Sequence, residues 1–166
     1  MEASLVGSEM CIRDSDMANI LRNFQDYEGA IEIYSNLIRY PNYSAEEYAD
    51  LLYKRGTSYE RKKDFLKADE DLIESLKIDP DEPYVLNYLG YSWLERSYKI
   101  PEAMDMLKEA YSLRENDPYI TDSIGWAYYL IKDFVNAKKY LEKAVKLMPY
   151  DPIAVSYTHL TLPTRN

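Results

Sequence analysis

The segment PYVLNYLGYSWLERSYKIPEAMDMLKEAYSLREND, residues 83–117, is followed directly by PYITDSIGWAYYLIKDFVNAKKYLEKAVKLMPYD, residues 118–151. Laid over one another, both open with Pro-Tyr, carry Gly at the eighth position and place an aromatic residue at the eleventh. A third copy without the opening proline occupies 49–82. The three give Leu52-x2-Arg55-Gly56-x2-Tyr59, Leu86-x2-Leu89-Gly90-x2-Trp93 and Thr121-x2-Ile124-Gly125-x2-Tyr128. Each continues to an Ala and, four residues later, a Leu: Ala68/Leu72, Ala103/Leu107 and Ala137/Leu141. A fixed period of 34 or 35 residues is the signature of a stacked-repeat architecture.

Inside each unit the apolar residues recur at helical spacing, as in Ala137, Tyr140, Leu141, Ala144, Val145 and Met148. Gly in a first helix and Ala at the start of a second mark a place where two helices approach closely. Pro83, Pro118 and Pro152 suit the first helical turn, where no N–H needs a partner. Asp79-Pro80, Asn116-Asp117 and Asp151 supply turn and cap chemistry between units. These signals predict helices over 16–24, 27–39, 45–62, 65–77, 83–97, 101–114, 118–131 and 134–147, an all-α solenoid of antiparallel helix pairs. Units run 49–82, 83–117 and 118–151, with a damaged unit over 16–48 and the start of a fifth at 152–154. Arg55 stands where an apolar residue is expected and Ser75 where Ala is, and the 83–117 unit gains one residue near Tyr98–Pro101.

Composition narrows the function. The 166 residues carry a net charge of −9 and a pI near 4.7, which argues against a nucleic-acid binder, since phosphate backbones call for clustered Lys and Arg. No run of eighteen uncharged apolar residues is present, so no membrane-spanning helix is expected. One Cys and one His leave little room for a zinc site, a disulfide framework or a Ser–His or Cys–His pair. The acids Asp69-Glu70-Asp71 fall on successive helix positions and cannot converge on one ion, so they are expected to be solvated, as are Asp79, Asp81 and Glu82. No catalytic residue, cofactor or metal is therefore expected.

Both rare residues lie in the end segments. Met10-Cys11-Ile12-Arg13-Asp14-Ser15 back-translates to ATG TGT ATA AGA GAC AG, whose reverse complement contains GTC TCT TAT ACA CAT. That string encodes Val155-Ser156-Tyr157-Thr158-His159. One DNA element read on its two strands thus accounts for both ends. It resembles the mosaic end of transposase-based sequencing libraries, and the usual flanks of that element give Leu5 to Glu9 and Leu160 to Thr164. Residues 1–15 and 155–166 are accordingly expected to be translated adapter, the first of them disordered, and 16–154 the repeat domain. Cys11 and His159 then carry no function, and localisation stays open.

The order of bulky, Gly, aromatic, Ala and Pro positions resembles the tetratricopeptide repeat over about 139 residues, 16–154. The resemblance implies a right-handed superhelical arc whose first helices line a concave groove. The family's inward positions fall on Asp50, Tyr53, Thr57, Glu60 and Arg61 in the first full unit. In the next they are Tyr84, Asn87, Tyr91, Leu94 and Glu95, and in the last Tyr119, Asp122, Trp126, Tyr129 and Leu130. The peptide-binding residues expected from this set are Tyr53, Thr57, Tyr84, Asn87, Tyr91, Tyr119, Asp122, Trp126 and Tyr129. Tyr59, Trp93 and Tyr128 take the family's core aromatic position instead.

Rings with polar tips suit peptide recognition, because they cover much area at little side-chain entropy. Members that hold a chaperone's C-terminal carboxylates do so through inward Lys, Asn and Arg. Tyr53, Asn87 and Asp122 stand at the matching places, so no such clamp is expected here. An acidic aromatic groove suits an apolar segment with Lys or Arg, or a neutral extended one. The expected function is a non-catalytic scaffold or adaptor binding a protein or peptide. The alternative is the substrate-recruiting arm of a larger enzyme or protease complex. Bacterial relatives of this type are often envelope-associated lipoproteins or protease adaptors. Self-association is also expected, through a last repeat left uncapped at Tyr140, Leu141, Val145 and Met148, or capture of the tail through Val155, Tyr157 and Leu160.

Overall fold

The computed structural model describes residues 2–40 and 43–148, with side chains described from residue 13 onward. The described residues form eight helices and no strand: α1 (Glu2–Asn23), α2 (Tyr27–Ile38), α3 (Ala45–Arg61), α4 (Phe65–Ile78), α5 (Pro83–Glu95), α6 (Ile100–Leu113), α7 (Pro118–Leu130) and α8 (Phe134–Leu147). Seven of the eight lie within two residues of the predicted bounds. The exception is α1, which is helical from Glu2 and not from 16, so the disorder expected of 1–15 is corrected at the level of the backbone. Pro149, Pro152, the fifth unit and the tail from Val155 lie outside the described residues. No described helix is long and apolar enough to cross a membrane.

The chain divides into two compact units, residues 1–80 and 81–166. In the first, α1 pairs with α2 and α3 with α4, while α2 packs on α3 to join the pairs. Its core holds Ala18, Ala30, Tyr34, Leu37 and Leu51. The Tyr34 hydroxyl, in a fully buried side chain, donates to Asn19 Oδ1 at 2.7 Å. Burial holds that phenol above its ordinary pKa. In the second unit α5 pairs with α6 and α7 with α8, and α7 packs on both α5 and α6. Val85, Leu89, Leu107, Ile120 and Ile124 are at most 2% exposed at its centre.

The repeat glycines are there for contact. A Cβ on Gly90 would sit 2.9 Å from the Ala103 carbonyl oxygen, and one on Gly125 would sit 2.9 Å from Leu141 Cγ and 3.0 Å from its backbone N. On Gly56 it would meet Leu72 Cγ at 3.0 Å and the Ala68 oxygen at 3.3 Å. Ala68 and Ala103 are buried across from Gly56 and Gly90, as the spacing predicted, and Ala137 is buried as well.

The four turns inside the helix pairs share one closure. The residue after the turn donates its N–H five residues back: Asp26 to Leu21, Asp64 to Tyr59, Tyr98 to Trp93 and Asp133 to Tyr128, at 2.8–3.0 Å. The residue before it takes a positive φ, and none of the four (Gln25, Lys63, Ser97, Lys132) is a glycine. In three turns an Asp comes next and precedes the second helix. Asp26 and Asp133 cap it, accepting from Gly29 N and Asn136 N, while Asp64 pairs with Lys67 at 2.8 Å. In the fourth, the inserted residue puts Tyr98 and Lys99 in that place, and Lys99 takes a second left-handed conformation, φ 42°.

The two departures from the repeat pattern are also explained. Arg55 donates to both oxygens of Asp71 at 2.7 Å and reaches Ser35 Oγ at 3.3 Å. Asp71 is therefore not the solvated acid that its place in Asp69-Glu70-Asp71 suggested. It is 7% exposed and engaged, because it lies on the face of α4 that packs on α3. Ser75 donates to the Ala49 carbonyl at 2.9 Å, a buried bond that an Ala would leave unmade.

Candidate functional site

Pro83 and Pro118 open α5 and α7 at the first turn, so Tyr84 and Tyr119 both emerge at the second residue of a helix. Asp117 accepts from the N–H groups of Tyr119 and Ile120 at 2.9 and 3.0 Å, which fixes the start of α7. Its other oxygen accepts from the Tyr84 hydroxyl at 2.8 Å, tying the start of α5 to the cap of α7. The hydrogen bond to that carboxylate holds the Tyr84 phenol above its ordinary pKa, since ionisation would break the bond and leave a phenolate facing a like charge. The Arg114 guanidinium stands 5.9 Å from the centre of the same ring.

A second bond spans the two helices near their far ends. Trp126 Nε1 donates to Glu95 Oε1 at 2.6 Å. The indole stacks on Tyr129 with centroids 5.1 Å apart and planes inclined by 19°. Tyr129 in turn meets the edge of Phe134 at 5.8 Å. Tyr119, 61% exposed, and Asp122 complete the same face of α7. On α5, Tyr91 and Asn87 are half-buried. The Asn87 side-chain oxygen is shut off from solvent and meets no donor.

Seven of the nine expected residues thus fall on two adjoining helices of the second unit. The other two lie on α3 in the first unit, where Tyr53 is half-buried. Thr57 is corrected: it is 3% exposed and its hydroxyl donates to the Lys54 carbonyl at 2.9 Å, the local bond that a helical Thr makes readily. Leu94, also read as inward-facing, is buried at 4%. Tyr140 and Leu141, expected on an unpartnered outer face, are instead half-buried in their own pair. Tyr140 stacks on Tyr128 at 5.5 Å and Leu141 fills the space against Gly125. Glu95 was read only as one inward position among many, and its bond to Trp126 has no counterpart in a one-helix periodicity. The sequence also gives no sign of the open depression of about 450 Å³ in the first unit, lined in part by Tyr40, Tyr43, Tyr48 and Arg39.

Repeated helical hairpins of about 34 residues define a class of repeat proteins whose helices serve as docking surfaces. The tetratricopeptide-repeat pattern matches residues 49–82 and 123–151. The chain belongs to the tetratricopeptide-repeat family. A curated relative, a TPR repeat-containing protein of Pseudomonas aeruginosa, is 32% identical over 138 residues, which is 82% of this chain. The chain spans only 22% of that relative's length.

Among solved structures, Pseudomonas aeruginosa pilF matches with a TM-score of 0.76 at 21% identity, covering 89% of this chain and 65% of that one. YrrB, a TPR protein with an unusual peptide-binding site, gives 0.69 at 16%, covering 92% and 76%. The first TPR domain of Spaghetti (RPAP3), bound to an HSP90 peptide, gives 0.63 at 18%, covering 69% and 90%. At these identities the likeness establishes the fold.

Proposed function

We propose that this protein is a docking scaffold that binds an extended segment of another protein along the first-helix face of its second unit. The tetratricopeptide fold is a scaffold for protein–protein interaction, and two solved relatives of that fold are peptide-binding. The observation that carries the assignment to this face is the Trp126–Tyr129 stack, bonded across to Glu95 of α5. The stack offers broad apolar area with a polar edge, the kind of surface that suits peptide recognition. Tyr84, Tyr91, Tyr119 and Asp122 extend the face. Trp126→Ala and Tyr129→Ala should each weaken the partner at least about tenfold, as buried aromatic anchors do. Unchanged affinity in both would remove the face from the account.

The chain performs no chemistry in this reading. That it spans a fifth of its curated relative's length favours a second one, in which these repeats recruit a substrate for a larger assembly. The two part on a single point: a recruiting arm binds the segment that is subsequently processed, whereas an adaptor releases its partner intact.

A further inference from the structure

Two of the second helices carry opposite charges at matching positions. Counted from the buried Ala137, α8 has Lys one, two and six residues on: Lys138, Lys139 and Lys143. Counted from the buried Ala68, α4 has acids at the same three places: Asp69, Glu70 and Glu74. Two residues before each alanine stand Val135 and Leu66, 82% and 73% exposed. Over its length α8 holds four lysines and one glutamate, in a chain whose net charge is −9. Its Val135, Lys138, Lys139, Glu142, Lys143 and Lys146 line an open depression of about 420 Å³.

This stripe is not the surface on which a following hairpin stacks. The same register on α6, Asp105 and Glu109, stays exposed although α7 packs on that helix. The charges are also only lightly engaged within the chain. Lys138 meets Glu142 at 3.7 Å and Glu74 meets Lys77 at 2.8 Å, both exposed pairs of the kind worth little and readily exchanged. Lys143 Nζ donates to the Tyr111 hydroxyl and the Glu115 carbonyl, which leaves one of its three N–H groups. Among the described residues, Lys139 and Lys146 pair with no carboxylate.

We infer that the α8 stripe docks on the α4 stripe of a second copy of this chain. Two such helices laid parallel in this register set Val135 against Leu66, Lys139 against Glu70 and Lys143 against Glu74, with Lys138 beside Asp69. The apolar contact removes the two most exposed aliphatic side chains from water, and the charge pairs fix direction and register. The one like-charged match, Lys146 with Lys77, falls at the last turn, where long side chains turn apart into solvent. Because the two stripes are different surfaces, the contact is heterologous, and each pair of copies keeps one stripe of either kind open for the next. This interface is separate from the α5–α7 docking face and does not rest on it.

The test is a charge swap on the full chain, read by sedimentation velocity up to about 0.5 mM at low salt, where exposed charge pairs are least screened. One variant, Lys138→Glu/Lys139→Glu, makes both stripes acidic. The other, Glu70→Lys/Glu74→Lys, makes both basic. The four side chains are exposed, so the fold is kept, which circular dichroism checks. The native chain should gain mass with concentration and lose it again at high salt. Each variant alone should associate at least about tenfold more weakly, since like charges then face one another. An equimolar mixture should recover the native association, although both variants keep a negative net charge. A native chain of single mass throughout overturns the pairing and leaves the α8 stripe to an acidic partner of another kind. Variants that associate as the native chain does, or a mixture no better than its components, overturn it as well.

Discussion

At the residue scale the structure is set by how each side chain resolves a local conflict. Arg55 and Asp71 are the clearest case, since two charges share an interior that repeats of this kind fill with apolar groups. Their two 2.7 Å bonds make the pair tolerable only as a pair. Asp71→Ala should therefore lower stability by about 2–4 kcal/mol, while Arg55→Leu/Asp71→Ala should recover most of that loss. Urea denaturation of the single and double variants decides the matter, and a double variant no better than the single would refute it. Gly90→Ala sets helix propensity, which favours Ala by about 1 kcal/mol, against a Cβ 2.9 Å from a backbone oxygen. The overlap should win, with a net loss of about 1–2 kcal/mol. Lys132 is the opposite case: with φ at 66° and no overlap to relieve, Lys132→Gly should gain about 0.5–1 kcal/mol.

At the scale of elements, caps and turns decide where helices begin. Asp117 ends the link from α6, caps α7 and holds Tyr84, so Asp117→Ala should cost more than the roughly 1 kcal/mol of an ordinary cap. It should also lower the pKa of Tyr84 toward the ordinary phenol value, visible in an ultraviolet titration. Asp133 caps α8 with a carboxyl held below the usual range by the Asn136 side chain and N–H. A depressed folded-state pKa means that its stabilisation is present above the unfolded value, near 3.8, and is lost as pH falls through the folded one. The stability gap between the native chain and Asp133→Ala should accordingly close only in that acidic window. A gap that closes near neutral pH would contradict the assignment.

Most of this level was legible in the sequence, because Pro, Asp and Gly mark helix ends wherever they act locally. What was not legible is what acts across helices. The burial of Asp71, the engagement of Thr57 and the Glu95–Trp126 bond all depend on which faces of two helices meet, and a one-helix period does not carry that. The inserted residue near Tyr98 was visible as a count. Its consequence, a second left-handed residue and a lysine over Trp93, was not.

At the scale of the whole molecule, two units of helical hairpins carry the proposed docking role. Self-association remains a proposal at this scale. Since Tyr140 and Leu141 are engaged within their own pair, it would run through Phe134, Val135 and Leu147, the exposed apolar residues of α8. Sedimentation over a wide concentration range should then show mass rising with concentration for the native chain and not for Val135→Lys, and a single mass throughout would end the proposal.

The central claim is that partners dock on α5 and α7 of the second unit. Hydrogen–deuterium exchange of the full chain, with and without a library-selected peptide, tests it most directly. The account predicts added protection in 83–95 and 118–130, and none beyond the free chain's in 65–78 or 134–147. Protection confined to the second helices of the pairs, or to the depression beside Tyr40 and Tyr48, would contradict it.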